Sequence, residues 1–367
     1  MKTTKLTHFL WSLLMLVSIN GFSQFDTPRG SQKAKITQTI GITDITITYS
    51  RPSVRKRQIW GKLVPYGMTD LRYGTAKLSP WRAGADENTI IEFEHDVKVE
   101  GKEIKAGKYG FHIVVNEDNT ATIIFNKNYS AWGSYFYDAS QDALQVTVKT
   151  SVIPHKEQLA FEFNKLTRGS VEASLNWEKK QFPFKIEVDV AKYVLDGMKT
   201  RLQNQPGFQS KNWETAASYA LRNNRDLEEA LGWINGALSG KWYSKETFNG
   251  YIIKADILAK LGKQDEGLKL LDAYMPKTSS QEAYQYGLKL LKLEMKDKAM
   301  EVFKMNEKKH KNVWPVHYGL AKGYSAKGDY KKALKHMKKA QSNATIQYYK
   351  NLIKGSISKL EKGEDIN

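Results

Sequence analysis

WPVHYGLAKGYSAKGDYKKALKHMKKA, Trp314 to Ala340, is the stretch whose reading decides the fold. Leu320, Ala321 and Tyr324 fall on one face of a helix of period 3.6. Gly328-Asp329 then supplies a turn, and Ala333, Met337 and Ala340 form a second apolar face that looks back at the first. Small residues at the meeting points let two helix backbones approach closely. The stretch predicts a helical hairpin.

Working towards the N-terminus, equivalent small residues recur at Ala230, Gly267, Ala299 and Ala333, spaced 37, 32 and 34 apart. The preceding helices offer Ala217-Ser218, Ala255, Tyr286-Gly287 and Leu320-Ala321 at the matching positions. This pattern resembles the tetratricopeptide repeat, with about four hairpins over residues 211–360 and a tail at 361–367. The resemblance implies a stacked array with a concave face suited to extended peptides or partner helices. Between Lys289 and Lys339 there are 15 basic and 5 acidic residues. Lys322, Lys327, Lys331, Lys332, Lys335, Lys338 and Lys339 are therefore expected to form a basic surface fitting an acidic protein partner.

Before residue 190 the period is two. AKITQTI, TDITITYS, TIIEFEHDVKV, YGFHIVV, ATIIFN, ALQVTVKTSVI, QLAFEFNKL, SVEASLNWE and FPFKIEVDV all alternate as strands do, with turn residues between them. Many short strands without helical interludes predict an antiparallel β-sandwich-like domain over residues 24–190. A short helix and the linker NQPGFQS, within 191–210, separate it from the repeats. The fold class expected is thus two-domain, an all-β sandwich-like half followed by an all-α repeat array.

At the N-terminus, Lys2 and Lys5 precede an apolar run from Phe9 to Val17, and Gly21-Phe22-Ser23 follows. That order reads as a secretory signal peptide, residues 1–23, cut after Ser23. The run is shorter than a membrane span needs, so the mature chain is not expected to be an integral membrane protein. There is no cysteine, which excludes disulfides, thiolate metal sites and a cysteine nucleophile. An exported chain without disulfides points to a bacterial periplasm, or to secretion. Net charge is +18; residues 24–192 carry 24 basic and 20 acidic groups, whereas residues 193–367 carry 31 and 19. In an exported protein such charge suits an acidic protein face, an anionic headgroup or an acidic glycan, and not nucleic acid. A solvated basic surface without a partner is the plain alternative.

Motifs for catalysis are scarce. Ser53-Val54-Arg55-Lys56 has Ser-x-x-Lys spacing but lacks the companion motifs and follows a proline. Gly101 to Lys108 superficially suggests a phosphate loop, yet the glycine spacing is wrong, Tyr109 replaces the hydroxyl residue, and no helix follows. No two histidines have metal spacing within one element, so neither a metal nor a cofactor is expected. His95 alternates onto the Phe93/Val97 face as a core histidine, opposite a stripe of Glu92, Glu94 and Asp96.

The long irregular segment from Arg51 to Glu87 remains. It opens with SRPSVRKRQIWGKLVPYG, Ser50 to Gly67, and includes WRAGADE. Together with EGKEIKAGKYGFHIV and WGSYFYDASQDALQVTV, these motifs resemble in order the bacterial family called domain of unknown function 2911, from about residue 26 to 190. The resemblance implies an exported β-rich domain often followed by helical repeats, and no activity. In many members Trp-Arg follows the Pro-Tyr-Gly turn closely; here Met68 to Pro80 intervene, so a site at this loop would be reshaped. Arg51, Arg55, Arg57, Trp60, Trp81, Arg82, Asp86, Glu87, Trp132 and Tyr135 are the candidate site residues. Arginine forks pair with carboxylates or phosphates and stack on indoles. Two readings stay open: an internal Arg–carboxylate network pinning the loop, or a pocket for a glycan or small anion. For the whole chain the choice is between an adaptor docking partners through its repeats, with a second contact from the β-domain, and an enzyme or ligand receptor using this loop.

Overall fold

A computed structural model describes residues 28–367; the expected signal peptide lies outside the described residues. The chain divides into two compact units between Tyr193 and Val194. Among the described residues no helix is long and apolar enough to cross a membrane.

Among the described residues the first unit holds ten strands: β1 (Gln32–Ile40), β2 (Thr43–Arg51), β3 (Thr89–Phe93), β4 (Val97–Val99), β5 (Lys102–Ile104), β6 (Gly107–Val115), β7 (Thr120–Asn126), β8 (Asp142–Lys149), β9 (Ser151–Asn164) and β10 (Ser170–Glu187). They form a six-stranded sheet, β1-β2-β3-β6-β7-β8, and a four-stranded sheet, β5-β4-β10-β9. Each neighbouring pair is antiparallel. Alternation does the sorting: Ile45, Ile47 and Tyr49 of β2 are buried, and the residues between them face outward or stay half-covered. The sheets close on an aromatic core. Phe111 of β6 meets Phe161 of β9 at 5.5 Å and Phe184 of β10 at 5.4 Å, and Tyr49 meets Phe161 at 4.8 Å. This is the sandwich that period-two patterning predicts.

One detail differs from the sequence expectation. TIIEFEHDVKV is two strands in two sheets, β3 and β4, joined by a corner at Glu94-His95-Asp96. His95 is therefore not a core histidine: half-buried, it bonds Thr43 Oγ1 at 2.9 Å and stacks on Tyr193 at 4.3 Å. The acidic stripe is likewise divided among separate partners. Glu92 pairs with Lys108, Glu94 accepts from the Asp44 amide, and Asp96 accepts from Lys105 and the Ala106 amide.

Helix α1 (Val190–Leu202) leads to the array. There follow α2 (Ser210–Asn223) with α3 (Leu227–Leu238), α4 (Phe248–Lys260) with α5 (Gln264–Tyr274), α6 (Ser280–Lys292) with α7 (Lys296–Lys309), α8 (Trp314–Ala326) with α9 (Tyr330–Asn343), and α10 (Gln347–Glu361). Local chemistry sets the starts: Ser279 and Glu282 form a capping box, and Asp329 accepts from the Lys332 amide. Within the array α2 packs on α4 and α6 on α8, so in these two pairs of neighbouring hairpins the first helices touch. Glycine makes the tightest approach possible. The Phe303 ring of α7 sits against Gly287 of α6 and Gly319 and Gly323 of α8. Residues after α10 fold back on α8: Asp365 accepts from Ser325, and Lys322 donates to the Ile366 carbonyl at 2.6 Å.

Candidate functional site

The SRPSVRKR stretch continues β2 along the edge of β9. Val54 N–H donates to Glu157 O at 2.8 Å and Leu159 N–H to Pro52 O at 3.0 Å. The chain then reverses through Arg55 and Lys56, both left-handed at φ 51° and 57°. Ile59 and Val64 plug into the core, and Trp60 packs edge-on to Trp81 at 5.9 Å and to Trp177 of β10 at 6.1 Å. Past Phe111 the edge of β6 is no longer covered by β3, and Trp81 takes the vacant place. It exchanges two backbone hydrogen bonds with Ile113, at 3.0 and 2.8 Å, and its indole stacks on Trp177. Further ties hold the inserted residues: Thr69 and Ser79 exchange backbone bonds, and Thr75 and Ala76 N–H donate to the Tyr135 carbonyl.

These elements wall a cavity of about 530 Å³. Arg55, Arg57, Trp81, Arg82, Asp86, Trp132, Tyr135 and Trp177 line it, with Pro52, Leu63, Val64 and Gly84 filling the gaps. Arg82 is held by three contacts. Its Nη1 donates to the Asp86 carbonyl at 2.8 Å, its guanidinium lies 5.3 Å from the Tyr135 ring centre, and its flank rests on Gly133. Gly133 has φ +62°, and a Cβ there would lie 2.6 Å from Arg82 Nη1, so both conformation and space require glycine. Arg57 donates to the Ser53 and Val54 carbonyls at 2.6 and 3.1 Å. Arg55 uses its backbone amide on Glu157. Among the described residues none of these three guanidiniums forms a salt bridge, nor does Asp86. The indole N–H groups of Trp60 and Trp177 are buried without a hydrogen-bond acceptor.

Three candidates lie away from the cavity lining. Arg51 Nε donates to Leu159 O at 2.9 Å and ties β2 to β9. Trp60 stands behind Trp81 in the indole cluster. Glu87 pairs with Arg29 at 2.7 Å and Lys33 at 3.1 Å. Partial burial would raise the Glu87 pKa, but those two cations outweigh it and hold the group at about 2. The expected pairing of Arg51, Arg55, Arg57 and Arg82 with Asp86 and Glu87 is not formed among the described residues; Glu87 pairs with Arg29 and Lys33 instead, because the candidate arginines are turned to backbone carbonyls or to the cavity.

Within reach of the Arg82 charge lies His112, which sequence reasoning passes over. It is 2% exposed, its Nδ1 has no partner, and burial together with the Arg82 charge lowers its pKa to about 4. A histidine within the apolar alternation of YGFHIVV is the one signal the sequence offers for it. A second hollow, about 600 Å³ beside β4 and β5, satisfies Asp96 internally through Lys105.

In the array, four of the seven candidate lysines are engaged. Lys322 is half-buried and donates to the Ile366 carbonyl, Lys327 pairs with Asp297, Lys332 with Asp329, and Lys338 with Glu361. Lys331, Lys335 and Lys339 form no salt bridge among the described residues. Five of the seven belong to α9, the second helix of its hairpin. The basic character therefore lies on that second helix, and Lys322 is a packing residue.

Solved structures similar to the chain are tetratricopeptide proteins. TTC0263 of Thermus thermophilus is 16% identical, with 46% of this chain and 91% of that chain covered and a TM-score of 0.33. A tetratricopeptide repeat protein of Parabacteroides merdae is 15% identical, with 47% and 68% covered and a TM-score of 0.35. YrrB, described as a TPR protein with an unusual peptide-binding site, is 17% identical, with 45% and 84% covered and a TM-score of 0.31. No curated protein matches the chain. Residues 31–186 match the family described as "Protein of unknown function (DUF2911)".

Proposed function

We propose that this chain is an exported, periplasmic binding protein whose β-domain cavity receives an anionic sugar and whose helical array docks an acidic protein partner. The observation that carries the ligand reading is the gathering of Arg55, Arg57 and Arg82, none with a carboxylate partner among the described residues, at one cavity walled by Trp81, Trp132 and Tyr135. Three cations in one hollow repel one another until an anion joins them. Indole and phenol faces suit a sugar ring, and Asp86 offers a carboxylate to its hydroxyls. The cavity volume falls within the range of small-molecule sites, about 300–1,000 Å³. Glucuronate and glucose 6-phosphate, titrated against intrinsic tryptophan fluorescence, are expected to give saturable changes that glucose does not. Arg82→Gln is expected to weaken that binding about 10- to 100-fold, the worth of one charge-assisted hydrogen bond. A flat response to both anionic sugars, or equal response to glucose, would overturn the reading.

Docking by the array is supported by its charge excess and by Phe208 and Trp242, 58% and 79% exposed with ring centres 5.7 Å apart. Export is supported by Lys2, Lys5, the apolar run Phe9–Val17 and the absence of cysteine. Crosslinking in intact cells followed by fractionation checks both. The expected result is an envelope-fraction chain beginning at Gln24, crosslinked to a partner that a Trp242→Ser variant loses. A cytosolic chain retaining residues 1–23 would overturn export, and unchanged crosslinks on the variant would overturn docking at this patch.

A further inference from the structure

Three helices of the last two hairpins bring together a donor set that no sequence spacing announces. Glu307 ends α7, His317 opens α8 and His336 lies within α9. His317 Nδ1 and His336 Nδ1 are 3.4 Å apart, and His317 Nδ1 is 3.9 Å from a Glu307 carboxylate oxygen. The three donor atoms all lie within 4.8 Å of one another, and no other group of three such residues does so among the described residues. We infer that Glu307, His317 and His336 form a binding site for a divalent transition metal of the zinc class.

The separations fit that chemistry. Zinc held tetrahedrally at ~2.0–2.1 Å from each ligand spaces neighbouring donors about 3.3 Å apart. The two imidazole nitrogens already stand at that edge length. Glu307, half-exposed near its helix end, closes the remainder by a small side-chain adjustment. The same nitrogens sit beyond the usual ~2.7–3.2 Å range for an N–H donor, so a direct imidazole–imidazole hydrogen bond is a poor account of their approach. Tyr324 stacks on His336 at 5.4 Å and fixes its ring plane, while His317 is 5% exposed and cannot swing out. Burial lowers the pKa of both imidazoles and the Lys339 charge acts the same way on each, while Glu307 opposes the shift in both.

Glu307 and His317 border a cavity of about 510 Å³, which gives an ion its path and leaves a fourth coordination position for water or an anion. Lys304, Lys308, Lys311 and Lys339 stand around it. Their charge opposes cations held by oxygen and electrostatics alone, such as calcium and magnesium. Affinity must come from nitrogen coordination, which selects zinc, cobalt or nickel.

The test uses the untagged full chain stripped with chelator. Calorimetry with Zn²⁺ and visible spectroscopy with Co²⁺ are expected to show one ion per chain, with the intense cobalt bands of tetrahedral coordination. Ca²⁺ and Mg²⁺ are expected to give no uptake. His336→Gln and Glu307→Gln, each checked for folding by circular dichroism, are expected to weaken Co²⁺ binding by about 100-fold or more. Both side chains are half-exposed, so at least one variant will fold and decide the matter. No saturable Co²⁺ or Zn²⁺ uptake, or uptake unchanged in a folded variant, would overturn the assignment.

Discussion

Phe303→Ala is expected to remove about 3–5 kcal/mol of folding stability, the range for deleting a fully buried phenylalanine. The side chain is 0% exposed and belongs to α7, yet its surroundings come from two other helices. Gly319 and Gly323 of α8 stand so close that added Cβ atoms would lie 2.6 and 3.0 Å from ring carbons, and one at Gly287 of α6 would overlap the ring outright. The three glycines facing the ring have no side chains to relax into the space it leaves. The cavity term should therefore be near its full size. Urea unfolding followed at 222 nm reads the helical array, and the two units require a fit that allows separate transitions. A loss below about 1 kcal/mol would mean that α6 and α8 collapse together and the socket is soft. The converse substitution, Gly287→Ala, should also destabilise, because the ring has nowhere to go.

The second large effect is acid loss of β-domain stability through His112. Its folded pKa of about 4 lies below the ordinary 6.5, so the unfolded chain takes up the proton first. Stability from the neutral buried ring is complete above pH 6.5 and falls as pH drops towards 4. At about 1.4 kcal/mol per pKa unit this amounts to roughly 3 kcal/mol. Urea midpoints at pH 7, 5.5 and 4, read by tryptophan fluorescence, should fall steeply for the wild type and much less for His112→Gln. Parallel profiles would show that water or a neighbour stabilises the charged ring. Glu87 acts in an adjoining window. Its lowered pKa contributes stability above 4.5 that is lost only as pH falls towards about 2.

Much of this architecture is legible because short-range rules act on contiguous residues. AKITQTI and TDITITYS alternate, and they pair as β1 and β2. Small residues recurring about one hairpin apart mark where helices meet, and Gly287 is one of them. What escapes is geometry across elements. Nothing in TIIEFEHDVKV says that its middle turns a corner into the second sheet, so alternation puts His95 in the core when it belongs to the bend. A lysine count gives charge but not partners, and Lys322 looks like its neighbours until its contact with Ile366 is seen. Glu307, His317 and His336 are 10 and 19 residues apart, separations that mean nothing until three helices are packed.

Trp81 sits in a segment that sequence reading treats as loop, yet its backbone is bonded on both sides to Ile113 as a strand residue would be. A recognition loop ordinarily loses conformational freedom when a ligand arrives, and that loss subtracts from affinity. Here the ordering is done during folding, since moving the indole would mean opening the edge of β6. A ligand meeting Trp81 meets a wall as stiff as the sheet beneath it. Its binding should show a small entropic penalty and a backbone that hardly shifts.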